Sequence, residues 1–441
     1  MSDRIGIVGG GLLGLSLADR FRRLGHRPTV FEAAPHFGGM ASAWSLGEFR
    51  WDRFYHVILL SDAHTQALLL QLGIDRDFVG VQTKTGFYTD GRFHSMSNSL
   101  EFLKFPPLGL LSKLRLGFTI WYASKLKDWK SLERVPVIDW LNSWSGTKTV
   151  EKIWRPLLRS KLGESLHEAN AAFIWATIQR MYAARRSGLK KEQFGYVRGG
   201  YGRILDRFVQ FLTETGVELR ANSPVRAIRS GGDGPTIELA SGDVRHFDRV
   251  VVTAAPPLAA AMLPDLESAE RGSFESIPYQ GIVCPSVVLK KPLGPYYVTN
   301  LTDDWVPFTG VIEMTALVDP AEFGGKHLVY LPKYVPPGDP IFAESDDSIR
   351  ERFVAALERM YPDFSRGDVL AFQVARLKHV FPIPTLNYSE RVPPMATSLP
   401  GVFAVNSSHI VNGTLNANET LQLAERAMTE LSGVSRAEAV V

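Results

Sequence analysis

Residues Arg4–Ser42 read RIGIVGGGLLGLSLADRFRRLGHRPTVFEAAPHFGGMAS. RIGIV is a short apolar run, the pattern of a strand buried on both faces of a parallel sheet. Gly9, Gly11 and Gly14 follow at G-x-G-x-x-G spacing. Leu12, Leu13, Leu15, Leu17, Ala18, Phe21 and Leu24 then recur with a helical period, and Gly25 suits the helix end. PTVF supplies a second strand, with Glu32 at its end. Gly9 permits the tight turn, Gly11 lets a pyrophosphate approach bare backbone, and Gly14 lets the helix pack close to the strand. The helix start offers free N–H groups and a partial positive charge to phosphate. Glu32 can accept hydrogen bonds from ribose hydroxyls and would repel a 2′-phosphate. A dinucleotide site is therefore expected, against the plainer reading of a structural glycine-rich turn.

The rest of the chain bounds the answer. Its 441 residues exceed one ordinary core, so two or three domains are expected. Hydrophobic residues make up 45% and charged residues 22%, a globular composition. A net charge of +3 is too small to argue for nucleic acid. The lone Cys284 excludes an internal disulfide and a cysteine-based zinc site, and neither the histidines nor the carboxylates have metal-ligand spacing, so no metal is expected. The glycine-rich turn starts at Gly9, leaving no room for a signal or transit peptide, and no apolar run is long enough to span a bilayer. A cytoplasmic protein is the expectation.

Glu32, followed by Gly38-Gly39 and the small residues Ala41 and Ser42, resembles the start of the flavin-containing amine oxidase superfamily, which includes protoporphyrinogen oxidases and carotenoid (phytoene) desaturases. The resemblance recurs in GYVRGGYGRILDRFVQFLTETGVELRANSPVRAI (Gly195–Ile228), in DRVVVTAAPP (Asp248–Pro257) and in LPGVFAVNSSHIVNGTLNANETLQLAERAM (Leu399–Met428). It implies noncovalent FAD. The cofactor would lie against Gly9, Gly11, Leu12, Leu13 and Gly14, with Glu32 and Ala33 at the ribose. Gly38, Gly39, Met40 and Ala41 would stand by the pyrophosphate and flavin, Val225 by the adenine, Asn406 by the pyrophosphate and Asn418 at the flavin. Many relatives carry arginine where Met40 stands, and Gly-Asp or Gly-Asn where Val405-Asn406 stands.

The implied fold class is α/β, a Rossmann-like (glutathione-reductase-type) FAD-binding domain with an inserted α+β substrate-binding domain. FAD-domain segments are expected at 1–50, 195–277 and 385–441. A largely helical insertion fills 51–194, and a substrate-domain sheet with a helix fills 278–384. VIDWLNSWSG and VEKIWRPLLRSKLG have helical spacing; GIVCPSVVL and FTGVIEMTALV are strand-like. SDDSIRERFVAALERMYP reads as a helix capped by Ser345 or Asp346. In the last motif Asn416 or Asn418 is the helix cap, with Glu419 in the first turn.

Three residues are candidates for chemistry. His56, in WDRFYHVILLSD, is an acid or base close behind the flavin motif, or a packing histidine. Arg155, one helical turn from Arg159, clamps an anionic substrate or belongs to a solvated helix face. Glu313 lies in an apolar run, where an acid lines a cavity or sits on a solvent face. Tyr88 sits on a hairpin turning at Asp90-Gly91 and is taken as structural.

The leading function is an FAD-dependent oxidoreductase that removes a hydride from a C–N or C–C bond of a small organic substrate and passes electrons to oxygen or another acceptor. The alternatives are a redox-neutral mutase resembling UDP-galactopyranose mutase, with Arg155 and Arg159 on a sugar-nucleotide diphosphate, and a non-catalytic flavin-binding partner protein. Glu101–Trp129 mixes large apolar residues with Lys104, Lys113, Arg115, Lys125 and Lys127. It reads either as a membrane-surface segment or as a helix packed into the substrate domain, starting near Leu108. Burial of its apolar side chains is expected, with at most weak, salt-sensitive membrane contact.

Overall fold

The computed structural model describes residues 2–97, 99–185 and 193–431. Residues 432–441 of the expected last segment lie outside that range. The chain starts with β1 (Arg4–Val8), α1 (Leu12–Arg23) and β2 (Arg27–Phe31). Much later come α2 (Gly200–Glu214), β3 (Glu218–Arg220) and β4 (Arg249–Val252), and last β5 (Val402–Ala404) and α3 (Ala417–Leu431). The five strands form one parallel sheet in the order β3-β2-β1-β4-β5. One face is covered by α1, α2 and α3 over a core that includes Ile5, Ile7, Leu15, Phe21, Phe208 and Leu423. The other carries the antiparallel strands Val225–Gly231, Gly234–Leu239 and Val244–His246 and the helix Pro256–Met262. Two covered faces explain why β1 and β4 are apolar almost throughout. This is the Rossmann-like α/β arrangement expected from the first motif.

A second, mixed sheet of eight strands is built round Tyr279–Leu289, which is buried along its whole length. That strand pairs with Val369–Pro382 along one edge and with His327–Tyr330 and Lys333–Val335 along the other. The hairpin Thr85–Thr89/Arg92–Ser95 joins the far end, with Asp90 and Gly91 both at positive φ and Tyr88 buried. FTGVIEMTALV is strand only over Gly310–Glu313 and then tightens into a 3₁₀ turn at Met314–Ala316. The helix Asp346–Met360 is capped by the Ser345 hydroxyl, which accepts the Ser348 N–H at 3.2 Å.

Helices Leu110–Lys125, Val137–Ser145, Arg155–Leu162 and Ala171–Arg185 form a third packed unit around Leu116, Trp140, Leu141, Trp154 and Trp175. Here the expectation for Glu101–Trp129 is corrected. The helix starts at Leu110 behind Gly109, and only part of it is buried: Leu116, Thr119 and Ala123 face the other helices. Leu103, Leu110, Leu111, Leu114, Phe118 and Trp121 are exposed. The reason is that the helix is apolar on nearly all sides, so burying one side leaves a second apolar face outside. No helix among the described residues is long and apolar enough to cross a membrane.

Candidate active site

The glycines of the first turn divide by what their surroundings demand. Gly9 has φ +108°, and a Cβ there would lie 2.4 Å from the Thr253 hydroxyl oxygen. At Gly14 a Cβ would fall 2.0 Å from the Gly9 carbonyl oxygen, so its absence lets α1 sit on the turn. Gly11 differs. Its φ is −71°, and a Cβ would meet only the Gly39 Cα, at 3.9 Å. The packing of the chain does not require glycine at this position, so the bare backbone serves something other than the fold. Gly38 and Gly39, at φ +116° and +56°, lie against it. The Gly38 N–H donates to the Gly10 carbonyl at 2.8 Å, and Gly11 bridges to Gly38. The N-terminus of α1 has no acid in its first turn and no side-chain cap, which leaves its positive end unneutralised.

Glu32 stands beside this turn. Its two carboxylate oxygens accept the Gly10 N–H at 2.7 Å and the Ala34 N–H at 2.9 Å, with lone pairs left for another donor. Ala33 is exposed, Met40 half-buried and Ala41 buried; Leu12 and Leu13 send their side chains into the core and leave only backbone to the turn. Val225 is half-buried where a β-bulge starts its strand. Asn406 follows β5 and is buried. Its carbonyl oxygen accepts the Ser408 N–H and hydroxyl at 3.1 and 2.7 Å, while its amide nitrogen has no partner. Asn416 caps α3, accepting the Glu419 N–H at 3.0 Å. Asn418 points elsewhere: its carbonyl accepts the His64 and Thr65 N–H groups and caps the helix Ala63–Gln71.

The start of α2 draws the next segment in. The Asp52 carboxylate accepts the Gly202 N–H at 3.2 Å, and burial raises it to about 7 against the pull of the Tyr201 and Gly202 N–H groups. The Tyr201 ring lies 5.0 Å from that of His56, and one turn on, Leu205 closes over Gly38. Residues 38–41, 52–56 and 199–205 thus meet at one place. Burial lowers the His56 imidazole to about 4, against an opposing pull from Phe54, and its Nδ1 has no partner. His56 is therefore neutral at physiological pH, and burial disfavours the imidazolium it would become on taking a proton.

Tyr55, the residue before His56, belongs to a cluster that no sequence motif signals. Lys161 donates to the Tyr55 and Tyr334 phenol oxygens at 3.0 and 2.9 Å, and those oxygens are 3.0 Å apart. The ammonium also sits 4.3 Å from the centre of the Tyr334 ring. Burial, then the neighbouring Tyr334, holds the Tyr55 phenol well above its ordinary value, so it stays a hydrogen-bond donor. The three residues come from distant parts of the chain, and no local spacing signals their meeting.

Among the described residues, neither of the other two candidates for chemistry has a hydrogen bond or ion pair to this cluster. Arg155 is paired with Glu151 at 3.0 Å, and Arg159 with Glu164 at 2.9 Å and Asp304 at 3.3 Å, so both match the solvated helix face and not the clamp. Glu313 is buried, which removes the solvent-face reading. Its oxygens accept the Leu293 N–H at 3.0 Å and the Thr315 hydroxyl at 3.1 Å, and burial raises it to about 7 despite those bonds. A surface cleft of about 770 Å³ between Val79, Tyr196 and Thr315–Glu322 contains none of the glycine motifs. Among the described residues no group of three or more His, Cys, Asp or Glu side chains could hold a metal ion.

Comparison with known proteins agrees with this geometry. The profile of flavin-containing amine oxidoreductases matches residues 14–417. Hydroxysqualene dehydroxylase of Zymomonas mobilis is 24% identical over 422 residues, covering 90% of this chain and 91% of that protein. Zeta-carotene desaturase of Synechocystis sp. is 21% identical over 443 residues, covering 85% and 86%. Among solved structures, the candidate protoporphyrinogen oxidase of Exiguobacterium sp. 255-15 superposes with a TM-score of 0.77 at 17% identity, covering 98% and 99%. Reduced UDP-galactopyranose mutase superposes with a TM-score of 0.74 at 15% identity, covering 100% and 98%. At those identities the superpositions speak for the fold alone.

Proposed function

The chain belongs to the flavin-containing amine oxidoreductase family and is a flavin-dependent oxidoreductase; from that premise we propose that its flavin is FAD and that it removes a hydride from a C–H bond of a lipophilic, isoprenoid-like substrate to leave a new C=C bond. The observation that carries the cofactor assignment is the cradle at Gly11, where the fold leaves backbone bare between two glycine strips. The α1 N-terminus and Gly11 would hold the pyrophosphate, Glu32 the ribose hydroxyls, and the unpaired Asn406 amide a phosphate oxygen. When bound, FAD supplies the hydride acceptor.

The substrate class rests on two supports. The relatives described above are named for hydroxysqualene and zeta-carotene chemistry. In addition, the aromatic pair Tyr55 and Tyr334 already holds a cation, Lys161, which would repel a protonated amine. His56, neutral with an open Nδ1, is a weak base and would take the proton of the neighbouring carbon only once hydride departure has made it strongly acidic. The mutase reading finds less support, since Arg155 and Arg159 already face acids. Anaerobic mixing of the holoprotein with squalene-type or carotenoid polyenes, and separately with putrescine, tests the proposal. Bleaching of the oxidised flavin by a polyene and not by the amine is expected. Bleaching by the amine alone would overturn the substrate class.

A further inference from the structure

The twelve large hydrophobic side chains that stand out into solvent among the described residues are not evenly spread. Six of them, Leu103, Leu110, Leu111, Leu114, Phe118 and Trp121, fall within nineteen consecutive positions and are between 48% and 72% exposed. Leu110, Leu114, Phe118 and Trp121 follow a spacing of four, four and three and so share one helix face. The Phe118 and Trp121 rings are 5.6 Å apart. Scattered exposed leucines need no explanation, but a contiguous apolar stripe marks an interaction surface.

The charges round the stripe indicate its partner. The helix Leu110–Lys125 carries Lys113, Arg115 and Lys125 and no acid, and Lys104, Lys127 and Lys130 flank it; Lys113 is buried and the other five are exposed. The nearby acids are engaged: Glu101 accepts from Ser95 and Ser97, Asp128 caps the turn at Ser131, and Glu133 is buried against Ser389. Lys113 donates to the Leu103 carbonyl, and Arg115 to the Ser143 and Trp144 carbonyls, which hold the helix rigidly on the unit beneath it. A second copy seated here about a two-fold axis would set one lysine-rich rim against another. An anionic lipid surface accepts both features at once.

We infer that this face docks on a bilayer containing anionic lipid, with Leu110, Leu111, Leu114, Phe118 and Trp121 entering the headgroup boundary and the exposed Lys104, Lys125, Lys127 and Lys130 contacting lipid phosphates. The surface is separate from the cofactor cradle, so its test does not depend on which substrate reduces the flavin. The holoprotein is co-sedimented with vesicles of phosphatidylcholine alone and of phosphatidylcholine with phosphatidylglycerol, at low and high salt. Binding to the anionic vesicles is expected, with a fraction persisting at high salt through apolar insertion. The L111S/L114S/F118S variant should lose at least about tenfold in binding while keeping the flavin spectrum. If that variant does not fold, brominated phosphatidylcholine mixed into the anionic vesicles should quench the wild-type tryptophan emission, and quench it less in Trp121→Phe. Three results would each overturn the inference: wild type left in the supernatant, binding unchanged in the folded triple variant with quenching unaffected by Trp121→Phe, or a wild-type dimer that the triple variant dissolves.

Discussion

Glu32 links the sequence motif to the cofactor most directly. Its carboxylate accepts two backbone N–H groups and keeps lone pairs for a ribose. Hydrogen bonds to a charged group contribute roughly 1.5–3 kcal/mol. Glu32→Ala should therefore weaken FAD binding by about tenfold to a hundredfold, measured by titrating the apoprotein with FAD; unchanged affinity would remove the ribose assignment. Glu313 makes a separate prediction. Its carboxyl is raised to about 7 from an ordinary 4.5, so between those pH values the folded chain holds a proton the unfolded chain has lost. Its contribution to stability is full below the unfolded value and is lost as pH rises through 7, a change of about 3 kcal/mol. Asp52 titrates in the same direction, so the difference between wild type and Glu313→Gln isolates this residue. Denaturant midpoints from pH 5 to 8 should fall less steeply in the variant, and parallel curves would contradict the burial argument. The burial of Glu313 could not be read from the sequence, because a carboxylate in an apolar run looks the same on an open face as over the Leu293 amide.

At the scale of elements, those with a strong local period were legible. β1, α1 and β2 follow from the apolar run, the helical spacing and Gly25, and the Ser345 cap from the Ser-Asp-Asp start. The use of polar side chains at helix ends was not legible in the same way. Asn416 and Asn418 are equally good caps by composition, yet one caps its own helix and the other the helix Ala63–Gln71, more than three hundred residues earlier in the chain. Asn418→Ala should thus lower stability by about 1 kcal/mol, read as a shift in thermal midpoint, and should leave the backbone at the α3 start intact. No shift would show that the cap does not hold in solution. The helix Leu110–Lys125 shows a related limit: with apolar residues nearly all round, its period does not say which side is inside. The pairing of Lys161 with Tyr55 and Tyr334 belongs to the same class, since only the tertiary fold brings strand, loop and helix together.

For the molecule as a whole, the parallel sheet positions one groove. β1 and α1 present Gly11, the turn after β2 returns Gly38-Gly39 against it, and α2 brings Tyr201, and through it His56, alongside. The two kinds of glycine in this groove separate folding from binding. Gly14→Ala should destabilise the chain, because its Cβ meets the Gly9 carbonyl at 2.0 Å. Gly11 has room for a Cβ in the protein itself, so Gly11→Ala should fold and yet keep the pyrophosphate from the backbone. The most direct test of this division is FAD titration of apo Gly11→Ala beside apo wild type, with thermal midpoints measured on both. One equivalent of FAD bound by wild type is expected, with Gly11→Ala still folding cooperatively, its midpoint lowered only by the weaker helix cap, and its FAD affinity reduced by more than about tenfold. Equal FAD affinity in the two proteins, or no FAD bound by wild type, would contradict it.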